Sequence, residues 1–338
     1  MMDGVRSVLL GFSGGIDSSA AVEELQRDGY RVVALTLNTT GDEEMITTAR
    51  KQAAQFFIQH HVKDVREEFQ QKIIQYFISS YAQGRTPAPC TMCNPLIKWH
   101  HLLLEADRLG VDKIATGHYF NVVQQNGLYY VARAADRRKD QSYYLWGLSQ
   151  QVLERVVTPM GQKIKSEIAA TAVNKKESMG LCFLRGVTYG DFIEKHLPIA
   201  VRRGDVVSLS GDVVGQHEGV AFYTIGQKRG IVGGSVVAID AERNRLIVGE
   251  NEDLYHATLE VADANIVCED ELLSSNDIEV VVRGFGRNPE GFAKSVERIE
   301  GGYRVVLDDP AWAPAAGQPV VFYRGDRVIG GAILERYY

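Results

Sequence analysis

The sequence contains few cysteines, tryptophans and prolines, with 4, 3 and 9 residues respectively among 338. Four cysteines in a reducing compartment favour catalytic, metal-binding or buried thiols over a disulfide framework. Long apolar runs are also missing, since none approaches the ~20 residues that a membrane-spanning helix needs. Residues 1–5 lack the basic segment of a secretory signal. We therefore expect a cytoplasmic protein without a membrane partner.

Positive charge is not in excess either. The net charge of -6 at pH 7 gives no general support for nucleic-acid binding, although a local basic face remains compatible with it. A hydrophobic content of 45% and a charged content of 24% are typical of globular proteins. The length is sufficient for two or three domains.

Residues 7–19 predict a strand, a phosphate-binding loop and the start of a helix. The apolar run at 8–10 favours a strand, and the pair Gly14 and Gly15 permits a sharp turn close to a ligand. Free amides and the partial positive charge at a helix start attract an anion, for which three nearby hydroxyls add hydrogen-bond donors. These hydroxyls belong to Ser13, Ser18 and Ser19.

The loop lacks the Gly-Lys-Ser/Thr ending of a Walker-type loop, whose lysine binds the β- and γ-phosphates. This absence argues against an ordinary NTPase or kinase. The sequence Ser-Gly-Gly-Ile-Asp-Ser at 13–18 is instead similar to the PP-loop of the ATP pyrophosphatase superfamily, whose members adenylate a carbonyl oxygen and release pyrophosphate. The simpler interpretation is a glycine-rich turn that caps a helix, but the flanking strand and helix favour nucleotide binding.

The first 200 residues alternate between strand-like and helix-like segments. Strands are expected at 31–37 and 111–116, a hairpin at 128–133, and helices at 47–59, 67–82, 95–109, 143–149, 150–156, 165–173 and 189–197. This alternation predicts an α/β fold with a doubly wound parallel sheet, which binds ligands at the carboxyl ends of its strands.

Beyond residue 200 the chain changes to short β-runs separated by glycines. Strands are expected at 278–282, 303–307, 320–323 and 328–334, a spacing typical of a small antiparallel barrel. We predict three domains: an ATP-binding catalytic domain at 1–200, a small β-rich central domain at 201–262 and a C-terminal antiparallel β-barrel at 263–338.

Three cysteines lie in loop-like segments, whereas Cys268 lies in a β-rich run and is expected in the core. Cys90 and Cys93 form a Cys-x-x-Cys pair before the predicted helix 95–109, which suits a redox pair, half of a metal site or two buried thiols. A helix N-terminus lowers a thiol pKa, so we expect Cys93 to be a thiolate at neutral pH. Together with Cys182 the pair suits either a nucleophile with a sulfur-carrying partner or a three-thiolate seat for an iron-sulfur cluster.

Six further blocks follow the loop in order. They lie at 84–99, 115–119, 139–145, 178–183, 223–230 and 317–323, and include Gly-Arg-Thr-Pro-Ala-Pro-Cys-Thr-Met-Cys-Asn-Pro, Ala-Thr-Gly-His-Tyr, Ser-Met-Gly-Leu-Cys-Phe and Tyr-Thr-Ile-Gly-Gln-Lys-Arg-Gly. With the PP-loop they resemble the tRNA-specific 2-thiouridylases over nearly the whole chain. The resemblance implies ATP-dependent sulfur insertion at C2 of the wobble uridine of tRNA, with Mg²⁺ at the phosphates and a sulfur donor that is a persulfide carrier protein or sulfide.

The resemblance also implies residue roles. Cys93 matches the family's nucleophile and Cys182 its persulfide-bearing cysteine, while Asp17 is expected to assist at the phosphates. The ATP-binding positions would be Gly11, Phe12, Ser13, Gly14, Gly15, Ile16, Asp17, Ser18, Leu37 on the adenine side, and Gly117. The tRNA-binding positions would be Ala88, Pro89 and Cys90 at the target base, with His118, Lys139, Asp140, Gln141 and Gln318 at other contacts.

Two departures from the family leave alternatives open. Many members have Asp where this chain has Cys90, so a [4Fe-4S] cluster on Cys90, Cys93 and Cys182 is an alternative to the persulfide route. The family's Arg-Tyr-Arg-like strand at the tRNA is replaced by residues 282–287, where Arg283 and Arg287 are the candidate substitutes. Rival functions of other classes are a PP-loop amide synthetase, which needs no cysteine trio, and a non-catalytic RNA-binding or sulfur-carrier protein.

Overall fold

A computed structural model of the chain describes residues 6–171, 180–184, 186–198, 201–284 and 286–338. The chain divides into two compact units. Unit 1 comprises Met1–Ile73, Cys90–Met179 and Asp326–Val328, and unit 2 comprises Ile74–Pro89, Gly180–Gly325 and Ile329–Tyr338. Within the described ranges, every helix is too short or too polar to cross a membrane.

Unit 1 is built on a five-stranded sheet with the order β3-β2-β1-β4-β7, in which every neighbouring pair is parallel. The strands of this unit are β1 (Ser7–Gly11), β2 (Arg31–Asn38), β3 (Gln59–Asp64), β4 (Lys113–Thr116), β5 (Asn121–Gln125), β6 (Leu128–Ala132) and β7 (Val156–Val157). The predicted doubly wound parallel sheet is confirmed.

The helices of the first 200 residues lie between these strands or, for the last two, after β7. They are α1 (Ile16–Arg27), α2 (Glu43–Gln55), α3 (Arg66–Phe69), α4 (Gln75–Ala82), α5 (Pro89–Cys93), α6 (Trp99–Leu109), α7 (Gln150–Arg155), α8 (Lys165–Thr171) and α9 (Tyr189–His196). Residues 172 and 173 of the predicted helix 165–173 lie outside the described residues. The helix expected at 143–149 is instead a single 3₁₀ turn at Ser142–Leu145.

The position of β1 explains where a ligand enters. Val8, Leu9 and Leu10 are completely buried, and β1 pairs with β2 on one side and with β4 on the other. The chain therefore changes direction across the sheet at the carboxyl end of β1, which is the crevice where doubly wound sheets bind ligands. The loop after β1 lies at this crevice.

Strand β3 was not expected. The predicted helix 47–59 is wrong at its end, because α2 stops at Gln55 and Gln59–Asp64 pairs with β2 as the edge strand of the sheet. The sequence Gln-His-His-Val-Lys-Asp is polar because an edge strand faces solvent, so it lacks the apolar run of a central strand. Phe57, which has φ +55° and is 95% exposed, lies in the turn between the two elements.

The described residues of unit 2 form two sheets. A four-stranded sheet has the order β10-β11-β8-β9, and a larger antiparallel sheet has the order β13-β16-β17-β12-β15-β14. The strands are β8 (Gly204–Ser208), β9 (Val213–His217), β10 (Ser235–Asp240), β11 (Arg245–Gly249), β12 (Tyr255–Ile266), β13 (Glu279–Val281), β14 (Ala293–Ile299), β15 (Gly302–Trp312), β16 (Pro319–Arg324) and β17 (Arg327–Tyr337), with helix α10 (Glu269–Ser274). The predicted change to β-structure is confirmed; the larger sheet is antiparallel, whereas β8 and β11 of the four-stranded sheet pair in parallel. Because β12 is continuous across residue 262, the expected boundary there falls within a strand, and the three-domain division stays a prediction.

Candidate active site

The loop between β1 and α1 has the backbone conformation of an anion-binding site. Gly14 has φ +71°, and a Cβ there would lie 2.8 Å from the Cα of Ala49 in α2, so a side chain is excluded both by conformation and by space. Gly15 is the extended N-cap of α1, and the first intrahelical bond runs from Ser19 N to Gly15 O at 3.0 Å. The amides before Ser19 therefore point out of the helix end, where they can bind a phosphate.

Hydroxyls line this loop as expected. Ser13 Oγ accepts a hydrogen bond from Gly15 N at 3.3 Å and lies 3.3 Å from Ser18 Oγ, which donates to Gly15 O at 3.1 Å. Ser19 Oγ is buried and has no hydrogen-bond partner among the described residues. Ser13 is exposed, whereas Ser18 is buried, so the Ser13 hydroxyl is the one presented to a ligand.

Gly117, directly after β4, packs against the phosphate loop where the loop enters α1. A Cβ at this glycine would lie 2.8 Å from Ser18 N and 2.9 Å from Asp17 C, both in the first turn of α1. The backbone after β4 therefore packs against the start of α1, and the position of Gly117 near a nucleotide stays a prediction. Leu37 is half-buried at the carboxyl end of β2, the same edge of the sheet.

Asp17 is held by two residues from distant parts of unit 1. Its Oδ1 accepts a hydrogen bond from Tyr119 Oη at 3.0 Å and pairs with Lys165 Nζ at the start of α8. Asp17 Oδ2 has no partner within the described part of the chain, and the side chain is 39% exposed. One carboxylate oxygen is thus anchored, and the other is available to a ligand.

The two neighbouring cysteines lie at the start of a long helical segment, but not where we expected it to start. Helix α5 begins at Pro89, and the segment continues through a π-helical stretch at Asn94–Lys98 into α6, which ends at Leu109 and is capped by Gly110 with φ +64°. Pro95 is therefore in the interior and not at the first turn. The π-helical stretch accommodates this proline, which has no amide hydrogen to donate, and such bulges recur at functional sites.

The observed helix start changes the environment expected for Cys93. Cys90 is in the first turn, whereas Cys93 is half-buried at the end of α5, where the helix dipole acts more weakly. Cys90 is exposed on one side, yet burial by the surrounding protein raises the pKa of its thiol, and the charge of Lys98 opposes part of this increase. The thiolate state of Cys93 stays a prediction.

His118 links β4 to the helical segment at 89–109, which carries Cys90 and Cys93 and is called the cysteine helix below. Its Nε2 lies 3.2 Å from Lys98 Nζ, its Nδ1 lies 2.7 Å from Thr116 Oγ1, and its ring stacks on Trp99 at 6.5 Å. Because an ammonium only donates, Nε2 must accept and Nδ1 must carry the proton. Burial, and then the Lys98 charge, lower the pKa of His118 well below its usual value, so the ring is neutral. Both ring nitrogens are engaged within unit 1, and the expected tRNA contact of His118 stays a prediction.

The turn at 139–141 is bound mainly to its own unit. Asp140 accepts hydrogen bonds from Ala134 N at 2.7 Å and from Ser142 Oγ at 2.5 Å. Gln141 exchanges two hydrogen bonds with the backbone of Tyr119, at 3.0 and 2.8 Å. These two side chains position the segment after β4, whereas the side chain of Lys139 is exposed and so suits a phosphate contact.

The remaining candidate residues belong to unit 2, except for the cysteine pair. Cys182 is exposed in the loop at 180–184, next to Phe183, whose ring packs on Phe77 at 5.1 Å and on Phe192 at 5.3 Å. Residues 178 and 179 of its motif lie outside the described residues. Among the residues at the expected target-base segment, Ala88 is half-buried and Pro89 is buried.

Three polar candidates lie in the antiparallel sheet region. The Oε1 atom of Gln318 is buried without a hydrogen-bond partner among the described residues. Arg283 donates to Ala313 O and stacks over Trp312 at 5.3 Å, and Arg287 donates to Tyr255 Oη at 2.8 Å. Both arginines are engaged with their own unit, and their tRNA contacts stay predictions.

Sequence reasoning missed Lys98, Thr116 and Lys165. Lys98 and Thr116 lie within blocks used for the resemblance, and their spacing from His118 carries no signal without the fold. Lys165 is 148 residues from Asp17, and no local pattern connects them. Within the described ranges, no group of three or more His, Cys, Asp or Glu residues is arranged to hold a metal ion.

Three family models match the chain in succession. They are described as a tRNA methyl transferase HUP domain at residues 6–186, a tRNA methyl transferase PRC-barrel domain at 190–250 and an aminomethyltransferase beta-barrel domain at 256–334. The first match contains the parallel sheet and the phosphate loop. The protein is therefore of the α/β nucleotide-binding class with a HUP domain.

Relatives define the family more closely. A tRNA-specific 2-thiouridylase MnmA of Bacteroides fragilis (strain YCH46) is 40% identical over 351 residues, which are 99% of this chain and 95% of that protein. A tRNA-specific 2-thiouridylase MnmA of Clostridium acetobutylicum is 34% identical over 355 residues, covering 98% and 99%. The chain belongs to the tRNA-specific 2-thiouridylase family, which confirms the resemblance found in the sequence.

Proposed function

We propose that this protein uses ATP to replace the O2 atom of the wobble uridine of tRNA with sulfur. The observation that carries the proposal is the position of two consecutive residues. Gly117 packs against the phosphate loop at the start of α1, and His118 contacts Lys98 of the cysteine helix at 3.2 Å. This two-residue segment therefore contacts both the phosphate loop, where a nucleotide would bind, and the helix that carries the thiols. Activation followed by sulfur transfer requires these two sites to be linked in this way.

The chemistry begins with activation of a poor leaving group. Uridine O2 attacks the α-phosphate of ATP, the bond between the α- and β-phosphates breaks, and pyrophosphate leaves. The adenylated O2 can then depart as AMP when sulfur adds at C2. The outward amides at the start of α1 bind and orient the phosphates, which is the contribution of positioning and electrostatic stabilisation.

The sulfur is carried by cysteine in this proposal. Cys182 holds it as a persulfide received from a carrier protein or from sulfide with an oxidant. Cys93 as thiolate attacks the Cys182 sulfur, which gives a Cys93–Cys182 disulfide and releases hydrosulfide for addition at C2. An external thiol then reduces the disulfide and restores both cysteines.

Mg²⁺ fits the phosphate loop. Asp17 presents an oxygen without a partner in the described residues, and carboxylate oxygens are the ligands that Mg²⁺ accepts beside nucleotide phosphates. When bound, the ion would neutralise phosphate charge. Asp17 is thereby assigned a binding role with its Oδ2 atom, while Tyr119 and Lys165 hold its Oδ1 atom.

The cluster route stays open because this chain has Cys90. Cys90 and Cys93 are one helical turn apart, so they suit two thiolates on one cluster, and Cys182 would be the third. Anaerobic purification followed by an absorption spectrum and an iron count distinguishes the routes. Iron-free protein that is fully active contradicts the cluster, and loss of activity on iron removal contradicts the persulfide route.

Nucleoside mass spectrometry of tRNA tests the function itself. Cells lacking the protein should lose 2-thiouridine, and wild-type protein should restore it. Cys93→Ser and Cys182→Ser should fail to restore it, whereas Cys268→Ser, at the start of α10, is the matched control that should succeed. Full restoration by the first two variants would contradict sulfur transfer through these cysteines, whereas unchanged 2-thiouridine in cells lacking the protein would favour a PP-loop amide synthetase.

A further inference from the structure

The phosphate loop of this chain has no cation of its own. Residues 11–19 contain neither Lys nor Arg, although a nucleoside triphosphate brings several negative charges to the loop. In a Walker-type loop a lysine within the loop sequence meets this charge. The structure brings a lysine to the same place from elsewhere in unit 1.

Lys165, the first residue of α8, is this lysine. Its Nζ pairs with Asp17 Oδ1 in the first turn of α1, and its side chain is only 7% exposed. The backbone amide of Lys165 donates to Asp136 Oδ2 at 3.0 Å, which fixes the position of the start of α8. The ammonium is therefore held next to the first turn of α1, although Lys165 lies 148 residues from Asp17 in the sequence.

A buried ammonium is a costly feature unless it has partners. Asp17 supplies one partner, but its own side chain is 39% exposed, so the pair is only partly enclosed. Tyr119, whose ring lies 5.8 Å from Lys165 Nζ, donates to the same oxygen of Asp17. The Lys165 ammonium balances the charge of Asp17 and the Tyr119 hydroxyl adds a hydrogen bond to the same oxygen, so the carboxylate repels a phosphate less.

We propose that Lys165 binds the β- and γ-phosphates of ATP and the pyrophosphate that leaves. Lys165, at the start of α8, provides the positive charge that a Walker-type loop obtains from a lysine in its own sequence. Asp17 holds the Lys165 ammonium in place before the nucleotide binds. The inference rests on the proposed use of ATP. The alternative is a purely structural ion pair that ties α8 to α1.

Ligand binding to the full-length protein separates these two roles. Calorimetric titration with adenosine, ATP and inorganic pyrophosphate, without tRNA, is carried out on wild type, Lys165→Met and Lys165→Arg. Lys165→Met should weaken the binding of ATP and pyrophosphate at least about tenfold, the equivalent of one charge-assisted hydrogen bond. Adenosine affinity should stay within about twofold, and Lys165→Arg should recover most of the pyrophosphate affinity.

Lys163→Met is the matched control. Lys163 also pairs with α1, through Glu24 at 2.7 Å, but on the last turns of that helix and away from the loop. Its variant should keep pyrophosphate affinity while losing a comparable ion pair. If Lys165→Met does not fold, Lys165→Gln, which keeps a donor toward Asp17, replaces it in the same titrations, and thermal unfolding reports the fold of each variant.

The outcomes are distinct. Unchanged pyrophosphate affinity in a folded Lys165→Met or Lys165→Gln protein overturns the assignment and leaves the proposed function intact. An equal loss of adenosine and pyrophosphate affinity also overturns it, because it indicates a general distortion. Failure of the wild-type protein to bind ATP would instead count against the proposed function itself.

Discussion

Acid should destabilise unit 1 through His118. Burial and the ammonium of Lys98 lower the pKa of His118 well below 6.5 in the folded protein, while the unfolded chain retains a value near 6.5. Below pH 6.5 the unfolded chain therefore binds a proton that the folded protein does not. By linkage, the free energy of unfolding falls as the pH decreases, and it is unaffected by this group above that value.

The loss of stability caused by His118 can be calculated for each pH below 6.5. One proton bound only by the unfolded chain lowers the free energy of unfolding by about 1.4 kcal/mol per pH unit below 6.5. At pH 5.5 the contribution is therefore about 1.4 kcal/mol, provided that the folded His118 remains neutral there. Burial also lowers the pKa of His60, His217 and His256, so they add to the acid sensitivity of wild type in the same direction.

A difference between two proteins isolates His118 from the other histidines. Urea unfolding of wild type and His118→Gln is followed by tryptophan fluorescence at pH 7.5 and 5.5, since Trp99 stacks on His118. The stability advantage of wild type over the variant should shrink by about 1.4 kcal/mol between the two pH values. Lys98→Met should move the NMR titration of His118 upward without reaching 6.5, because burial is the larger cause.

Two results would refute this reasoning. An unchanged difference at the two pH values would mean that His118 takes up its proton equally in the folded and unfolded states. An NMR midpoint of His118 at or above 6.5 in wild type would mean that the Lys98 ammonium does not donate to Nε2, and the assigned tautomer would be wrong.

Three further predictions concern the loop, unit 2 and tRNA. Gly117→Ala places a Cβ 2.8 Å from the backbone at the start of α1, so the ATP affinity measured by calorimetry should fall about tenfold. Gly215→Ala in β9 is the control that should leave this affinity unchanged, because a Cβ there lies no closer than 3.6 Å to any atom beyond its chain neighbours. Arg85→Met removes the paired hydrogen bonds to Glu335 at 2.8 and 2.5 Å and should lower the free energy of unfolding by about 1 kcal/mol in urea, whereas Arg203→Met, in an exposed pair, should change nothing. The tRNA affinity should fall steeply between about 50 and 200 mM salt in filter binding, and a flat profile would exclude phosphate-dominated contacts.

The phosphate loop was predictable because its determinants are local. A strand, two glycines and a helix within thirteen residues specify the loop, and Gly14 and Gly15 have the geometry for which they were singled out. The start of the cysteine helix was not predictable in the same way. Pro95 is typical of a first turn, but the π-helical stretch at Asn94–Lys98 lets it lie inside the helix, and local propensity does not reveal this bulge.

Sequence order alone determined the alternating fold, the anion seat and the family to which the chain belongs. Periodicity, glycine pairs and ordered blocks are all encoded over short stretches, so they needed no tertiary contact. Only the tertiary structure decided the partners of these residues. It paired Asp17 with Lys165 and Tyr119, and His118 with Lys98, because folding of the parallel sheet brings the carboxyl ends of β1 and β4 together with helices that lie far apart in the chain.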